Sequence, residues 1–227
     1  LGRLVRASWI ITTWFRTERY YSLSAWRATW RGEGGGVLLN QCPHNLDLYQ
    51  WLFGMPRRVH GLASLGKYHN IEVEDEVTAV FEHENGMIGH FIASTAESPG
   101  TNRLEIVGEL GRIVYEDQKL IIDRNVESML AVCETSDEPF AAVQHASETI
   151  NTSTEEGGHR TVIERFAQAV KGRAQPISTG AEGLGSVMLA NAVIASHFAG
   201  ASVSLPLDGD DYERLLEDLI AKSSFVD

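Results

Sequence analysis

Alternating apolar and polar residues, rich in β-branched and aromatic types, dominate the first half of the chain and predict a sheet. Residues 3–15 (RLVRASWIITTWF) predict one long strand. Five further strands are predicted at Val59–Tyr68, Glu76–Glu84, Met87–Thr95, Asn102–Val107 and Arg112–Ile122. Asn85-Gly86 lies between two of these runs and is a strong hairpin signal, so we predict an antiparallel sheet.

Pairing through Asn85-Gly86 determines which side chains share a face of the sheet. One face is expected to carry Val77, Ala79, Phe81, Ile88 and Ile92, and the other Val80, Met87, Phe91 and Ala93. Both faces are partly apolar, so both need cover. Helices of the chain can cover one face. The simplest cover for the other face is the same face of a second subunit, and we therefore expect a homo-oligomer formed through this open face.

Apolar residues at helical spacing predict four helices. They are Val37–Phe53, interrupted by Pro43, and three later helices at about Gly158–Lys171, Ala181–Ala199 and Asp210–Lys222. Thr179 and Glu182 form a capping-box pattern before the third of the four. Residues 16–36 and 123–157 are predicted to be irregular, the latter with possible short strands. The chain is therefore expected to be one α+β domain over residues 1–227, an open, predominantly antiparallel sheet with helices packed on one face.

The charge and cysteine content limit the classes of partner. A formal net charge of -12 disfavours nucleic acid and anionic membrane surfaces, which bind clustered Lys and Arg. Two cysteines are too few for a disulfide framework and favour a reducing, cytoplasmic location. No apolar run reaches the length of a membrane-spanning helix. The chain begins at Leu1 with an apolar strand, from which we expect it to be part of a longer protein.

Several common catalytic and binding motifs do not occur in the sequence. It has no G-x-G-x-x-G dinucleotide turn, no G-x-S-x-G nucleophile elbow and no zinc-binding spacing. The glycine-rich run from Gly32 to Gly36 is interpreted as a tight entry into the following helix. His83 and His90 are predicted to share one face of the hairpin and to be polar packing residues. We expect no metal site.

Asn40, His44 and Asp47 carry the candidate chemistry. Their spacings of four and three place them on one stripe of the predicted helix, and apolar residues flank that stripe. Buried polar groups need partners, which can be protein or ligand. Pro43 leaves an alternative open, in which the helix begins near Cys42 and His44 is a satisfied core histidine.

A set of short motifs resembles a known family. They are Trp26-Arg27, the run from Gly34 to Asp47 (GGGVLLNQCPHNLD), Trp51–Pro56 (WLFGMP), Val73-Glu-Asp75, Asn85-Gly86 and Glu105–Ile113 (EIVGELGRI). Together they resemble the second domain of the glucose-fructose oxidoreductase, inositol dehydrogenase and rhizopine-catabolism (Gfo/Idh/MocA) family. The similarity covers most of residues 1–122 well and the C-terminal helices loosely.

The resemblance implies an enzyme with two domains. An N-terminal Rossmann domain, absent from this chain, would bind NAD or NADP, and this chain would supply substrate binding and oligomerisation. The family's histidine position is His44, and its aspartate position is occupied here by Asn40. The family's catalytic lysine would lie outside the chain, so these residues alone are expected to be inactive.

The expected reaction is hydride transfer to or from a sugar, polyol or related cyclic hydroxy compound. His44 would act as the acid/base, because imidazole, with a reference pKa of about 6.5, can accept a hydroxyl proton at neutral pH. Asn40 would orient a hydroxyl, and Asp47 would orient His44, contact substrate or cap a nearby backbone group. Tyr21, Trp26 and Arg27 would stack on and hydrogen-bond the sugar, or would instead pack at a subunit boundary. Two alternatives are a lyase, isomerase or glycosidase of the same fold, and a non-catalytic carbohydrate-binding or assembly module.

Overall fold

The computed structural model describes residues 1–152 and 158–225 and has an α+β fold. Its strands are β1 (Leu4–Ile11), β2 (Arg58–Leu65), β3 (Glu74–Glu82), β4 (Ile88–Ser94), β5 (Asn102–Gly108), β6 (Gly111–Glu116), β7 (Lys119–Asn125), β8 (His145–Asn151) and β9 (Val203–Ser204). Its helices are α1 (Glu18–Tyr21), α2 (Val37–Asn40), α3 (Pro43–Phe53), α4 (Met129–Thr135), α5 (Gly158–Val170), α6 (Leu184–Ala199) and α7 (Gly209–Lys222).

All nine strands form one sheet, in the order β8-β7-β6-β5-β1-β4-β3-β2-β9. The pair β1 and β4 is parallel, and every other neighbouring pair is antiparallel. The predicted fold class, an open and predominantly antiparallel sheet with helices, is confirmed. The predicted strand at 112–122 is wrong, because Asp117 and Gln118 have positive φ angles of 49° and 58° and make the tight turn that separates β6 from β7.

The hairpin at Asn85-Gly86 is present, but its register differs from the prediction by one residue. The N–H of His83 donates to the carbonyl of Met87 at 3.0 Å, which leaves a three-residue loop in which Gly86 has φ 83°. Phe91 consequently pairs with Ala79 on the buried face, and His90 pairs with Val80 on the other. A shift of one residue exchanges the faces of a strand, so the predicted face assignments of β4, and the shared face of His83 and His90, are wrong.

The predicted helix at 37–53 is two helices. It ends at Asn40, and α3 restarts at Pro43, where proline is tolerated because the first helical amide has no acceptor within the helix. The helix predicted from Ala181 starts at Leu184, but the capping box forms: the N–H of Glu182 donates to Thr179 Oγ1 at 3.3 Å, and the N–H of Thr179 donates to Glu182 Oε2 at 2.5 Å. In 123–157 the short strand β8 agrees with the prediction of short strands, the helix α4 was not predicted, and residues 153–157 lie outside the described part.

The core lies between the sheet and helices α2, α3 and α6. Its sheet side includes the alternate residues Val77, Ala79 and Phe81 of β3, and its helix side includes the buried α6 residues Leu189, Ala190, Ala192, Val193 and Ile194. Gly61 of β2 packs so closely on α6 that a Cβ atom would lie 2.4 Å from the carbonyl oxygen of Val193. Among the helices of residues 1–152 and 158–225, none is both long and apolar enough to cross a bilayer.

The opposite face of the sheet carries ion pairs and exposed apolar side chains. Arg103 binds Glu116 at 2.6 Å and Glu105 at 2.8 Å, and Arg6 also binds Glu105. Leu62 on β2 lies on this face and is 60% exposed. This is the face for which we predict a second subunit as cover, and we keep the name open sheet face for it.

Candidate functional site

Asn40 ends helix α2, and its side-chain amide is engaged on both sides. Its Oδ1 atom accepts a hydrogen bond from the hydroxyl of Tyr20 at 3.0 Å and one from Gln41 Nε2 at 2.7 Å. Its Nδ2 atom donates to the carboxylate of Glu33. These partners fix the orientation of the amide, because an exchange of its oxygen and nitrogen would place donor against donor and acceptor against acceptor.

Glu33 lies in the glycine-rich run, and its side chain is only 8% exposed. Besides accepting from Asn40, its carboxylate accepts the backbone N–H of Ala28 at 2.6 Å. It also lies 3.7 Å from the guanidinium of Arg27. Ala28 has a positive φ of 56°, so Glu33 also stabilises a backbone conformation that L-residues rarely adopt.

Tyr20 lies between two arginines. The guanidinium carbon of Arg16 is 4.8 Å from the centre of its ring, and that of Arg27 is 4.6 Å from it. Arg27 Nη1 also donates to the Tyr20 hydroxyl at 2.8 Å, and its guanidinium stacks on Trp26. Such cation–π contacts arrange the charged and aromatic side chains of the 16–36 segment into an ordered stack.

Tyr21, next to it in sequence, faces the sheet. Its hydroxyl donates to Thr95 Oγ1 at 3.0 Å, and burial raises its pKa above the ordinary value. Tyr21 and Arg27 line a cavity of about 400 Å³ together with serine, threonine and arginine side chains of residues 22–31, and we call it the loop cavity. Trp26 is 50% exposed.

His44 occupies the first turn of α3 and is exposed. It lines a second cavity, of about 630 Å³, with Asp47, Trp51, Thr179 and Glu182, which we call the helix cavity. Asp47 is exposed as well, and it accepts a hydrogen bond from Gln50 at 3.0 Å. The alternative of a satisfied core histidine does not describe His44, although α3 does begin next to Cys42 as that alternative predicted.

The predicted site residues therefore fall into two groups. Asn40 and Arg27 are connected through Tyr20, Trp26 stacks on Arg27, and Tyr21 lies beside them at the loop cavity. His44 and Asp47 line the helix cavity. The predicted helix is interrupted between α2 and α3. This interruption separates Asn40 from the other two residues of the predicted stripe.

Glu74 anchors the turn that precedes α2. It is completely buried, and its Oε1 atom accepts the backbone N–H groups of Gly36 at 2.8 Å and Leu38 at 3.1 Å. Burial raises its pKa to about 7. A Cβ atom on Gly36 would lie 2.0 Å from the carbonyl oxygen of Glu74, so only glycine allows this approach. This contact supports the interpretation of the glycines as a tight entry into the helix.

Four of these residues, Glu33, Glu74, Tyr20 and Arg16, were not predicted as site residues. Glu33 lies among glycines that predict only a tight turn, and Tyr20 lies in a segment that is predicted to be irregular. A signal for Glu74 was available, because a carboxylate at an inward position of a strand must find a partner. Within the part of the chain that the structure describes, no three His, Cys, Asp or Glu side chains are grouped as metal ligands.

Comparison with known proteins finds one family model and many similar structures. The model, described as the GFO/IDH/MocA C-terminal domain, matches residues 1–114. No curated protein matches the chain.

Three of the similar structures are two WlbA dehydrogenases, each solved with NADH and UDP-GlcNAcA, and a levoglucosan dehydrogenase solved with NADH and levoglucosan. The WlbA enzyme of Chromobacterium violaceum is 27% identical, with a TM-score of 0.68 over 91% of this chain and 56% of that one. The WlbA enzyme of Bordetella pertussis is 24% identical, with a TM-score of 0.67 over the same shares. Levoglucosan dehydrogenase is 20% identical, with a TM-score of 0.68 over 91% of this chain and 60% of that one. This chain thus spans little more than half the length of these structures.

Proposed function

Because the chain belongs to the GFO/IDH/MocA family through its C-terminal domain, we propose that it is the substrate-binding and oligomerisation domain of an NAD(P)-dependent oxidoreductase. Its substrate would be a sugar, a polyol or a related cyclic hydroxy compound. The similar structures support this class of substrate, because two were solved with UDP-GlcNAcA and one with levoglucosan. NADH is present in all three.

One observation carries the proposal: the exposed imidazole of His44 stands at the helix cavity, directly after the glycine turn and α2. Oxidation of a carbinol carbon requires removal of the hydroxyl proton as the hydride leaves. An exposed imidazole can accept that proton, whereas the amide of Asn40 cannot carry it. His44 is thus the acid/base, and Asp47, one turn further along α3, orients it or contacts substrate.

The dinucleotide is assigned to a separate N-terminal Rossmann domain. The start of α2 does not fit its pyrophosphate, because the backbone amides of Gly36 and Leu38 already donate to the Glu74 carboxylate. The sequence also has no G-x-G-x-x-G turn. NAD or NADP would supply or accept the hydride, and this chain would hold the substrate. The chain alone should therefore be inactive.

Tyr21, Trp26 and Arg27 form the proposed carbohydrate-binding group. Trp26 is half exposed and presents an aromatic face of the kind on which the apolar face of a sugar ring stacks. Arg27 lines the loop cavity, and its guanidinium can donate to sugar hydroxyls. Asn40 contributes by holding Tyr20 and, through it, Arg27 in place.

A second candidate is a lyase, isomerase or glycosidase with the same fold. It is favoured by Asn40, which occupies the position where the family has an aspartate. An amide cannot accept and release a proton as a carboxylate does, so this position cannot take part in proton transfer. The non-catalytic binding module is less favoured, because it gives the exposed His44 no role.

The test is an assay of the product of the complete open reading frame. It is incubated with NAD or NADP and a panel of polyols and sugars, and separately with NADH or NADPH and keto-sugars, while the nicotinamide absorbance is followed. A change in absorbance with one of these compounds supports the oxidoreductase. If the absorbance stays constant while a sugar in the panel is cleaved or isomerised, the second candidate replaces it.

A further inference from the structure

The segment of residues 16–33 concentrates positive charge in an acidic protein. It contains four arginines, Arg16, Arg19, Arg27 and Arg31, against two glutamates, although the formal net charge of the whole chain is -12. Within residues 1–152 and 158–225, only Arg27 of these four lies within ion-pair distance of a carboxylate, 3.7 Å from Glu33. Arg16, Arg19 and Arg31 therefore carry guanidinium charge that no carboxylate of the described residues pairs with.

Two of these guanidinium groups also have an unused donor. In the described part of the chain, the Nε atoms of Arg16 and Arg27 are buried and have no hydrogen-bond partner. Buried donors of charged groups are normally satisfied, because desolvation without a partner is costly. Both arginines are held against the ring of Tyr20, so neither can turn away without losing a cation–π contact.

The loop cavity brings part of this charge to a concave surface. Arg27 and Arg31 line it, with the hydroxyl-bearing residues Ser22, Ser24 and Thr29. Its volume of about 400 Å³ is in the range of sites for small ligands. Glu18 also lines the cavity, but one of its carboxylate oxygens is engaged by the backbone N–H of Asn70 at 2.9 Å.

We propose that the loop cavity binds the anionic group of a carbohydrate, a carboxylate or a phosphate, through Arg27 and Arg31. Guanidinium groups suit this role because their planar fork of N–H donors matches two oxygens of such a group, and the cavity hydroxyls can hydrogen-bond the sugar. The inference rests on the proposed function, in which the ligand is a carbohydrate. It narrows that class to acidic or phosphorylated sugars.

The experiment is an NMR titration of the chain with four probes: D-glucuronate, D-glucose 6-phosphate, D-glucose and inorganic phosphate. At least one of the two charged sugars should bind about tenfold or more tightly than glucose, because hydrogen bonds to charged groups are the strong ones. The charged sugar that binds more tightly identifies the anionic group. The proposal is overturned if glucose binds as tightly as both charged sugars, if glucose 6-phosphate is the preferred sugar and inorganic phosphate binds as tightly, or if none of the four binds.

Arg31→Gln is the informative variant. Arg31 is exposed and forms no ion pair within the described residues, so the substitution should preserve folding, which the melting temperature checks. It should weaken binding of the preferred charged sugar about tenfold and leave glucose binding unchanged. Arg19→Gln is the matched control, because it removes the same charge from an exposed arginine that does not line the cavity. Equal losses in the two variants would indicate bulk charge attraction and would overturn the site.

This binding measurement is independent of turnover. If the complete protein transfers no hydride but the charged sugar binds through Arg31, the proposed oxidoreductase fails and the anion site stands. If hydride transfer occurs with neutral polyols and Arg31→Gln has no effect on binding, the anion site fails and the proposed function stands.

Discussion

Glu74, the first residue of β3, accepts the backbone N–H of Gly36 at 2.8 Å and thereby ties β3 to the turn that leads to Asn40. The same carboxylate oxygen also accepts the N–H of Leu38. A buried side chain of the sheet thus takes the place of a helix-capping residue, since the N-cap position itself is a glycine. The position of α2 therefore depends on one carboxylate with no exposure to solvent.

The pH dependence of stability should report on Glu74. Burial raises its pKa to about 7 from an ordinary value of 4.5, so between these values the folded state holds a proton that the unfolded state releases. The contribution of this group to the free energy of unfolding is fully present below pH 4.5 and is lost as the pH rises to about 7. Denaturant unfolding measured from pH 5 to pH 8 should show a loss of about 2 kcal/mol from this source.

Glu74→Gln separates this effect from the titration of other groups. Glutamine keeps an acceptor for Gly36 and Leu38 but has no charge to gain. As the pH rises from 5 to 8, the wild type should therefore lose more unfolding free energy than the variant does. Parallel curves for the two proteins over this range would show that Glu74 does not titrate there.

The pairing of Asn40 with Glu33 predicts the effect of restoring the family's aspartate. Asn40→Asp would replace the donor to Glu33 with a second carboxylate, in a place where the Glu33 side chain is 8% exposed. Like charges at contact distance disfavour each other, and the lost hydrogen bond adds to the cost. We expect a loss of about 1 to 3 kcal/mol in the free energy of unfolding at neutral pH, measured by urea denaturation.

Two further variants make this prediction specific. Adding Glu33→Gln to Asn40→Asp restores a donor opposite a carboxylate and should recover most of the lost stability. Asn45→Asp introduces the same charge in the first turn of α3, where a negative charge is favourable at a helix N-terminus, and should not destabilise. If the double variant is no more stable than Asn40→Asp alone, the contact between residues 33 and 40 does not determine the residue type at position 40.

Most of the fold follows from local sequence patterns, and the errors have local causes. Strands, hairpin and C-terminal helices were predicted from alternation, turn residues and helical spacing, and these signals are contained within short segments. The predicted register of the Asn85-Gly86 hairpin is wrong because the loop has three residues rather than two. The loop length depends on the backbone conformation at Gly86 and not on the residue types alone. The turn at Asp117 was missed because neither it nor Gln118 is a glycine.

The site was less accessible to prediction, because its contacts join distant parts of the chain. His44 and Asp47 could be placed on one helix from their spacing, and the structure has them at one cavity. The partners of Asn40 are 20 residues away for Tyr20 and seven for Glu33, across a segment with no periodic pattern. Glu74 contacts Gly36 across 38 residues. No spacing rule within a single element predicts such pairs.

His44→Ala tests the acid/base role in the product of the complete open reading frame. If His44 accepts the hydroxyl proton, its loss should lower the rate of turnover by roughly 10²- to 10⁴-fold. Folding should change little, and the melting temperature checks this, because the imidazole is exposed at the surface of α3. His145→Ala, at an exposed position of β8, is the control for loss of a surface histidine. Near-normal turnover of the His44 variant would remove it from the proposed chemistry.

The open sheet face predicts a homo-oligomer. Protein interfaces combine an apolar centre with a polar rim. On the open sheet face, the exposed Leu62 would belong to such a centre, and the ion pairs of Arg103 would belong to the rim. Sedimentation of the chain at micromolar concentration should therefore show dimers or larger species. Leu62→Glu should shift the population toward monomer, because it places a charge where the partner would bury an apolar side chain. Leu184 on α6 is 63% exposed, and Leu184→Glu should leave the association unchanged, since α6 lies on the other side of the sheet. A monomer in the wild type, or equal dissociation by both variants, would contradict the assignment of this face.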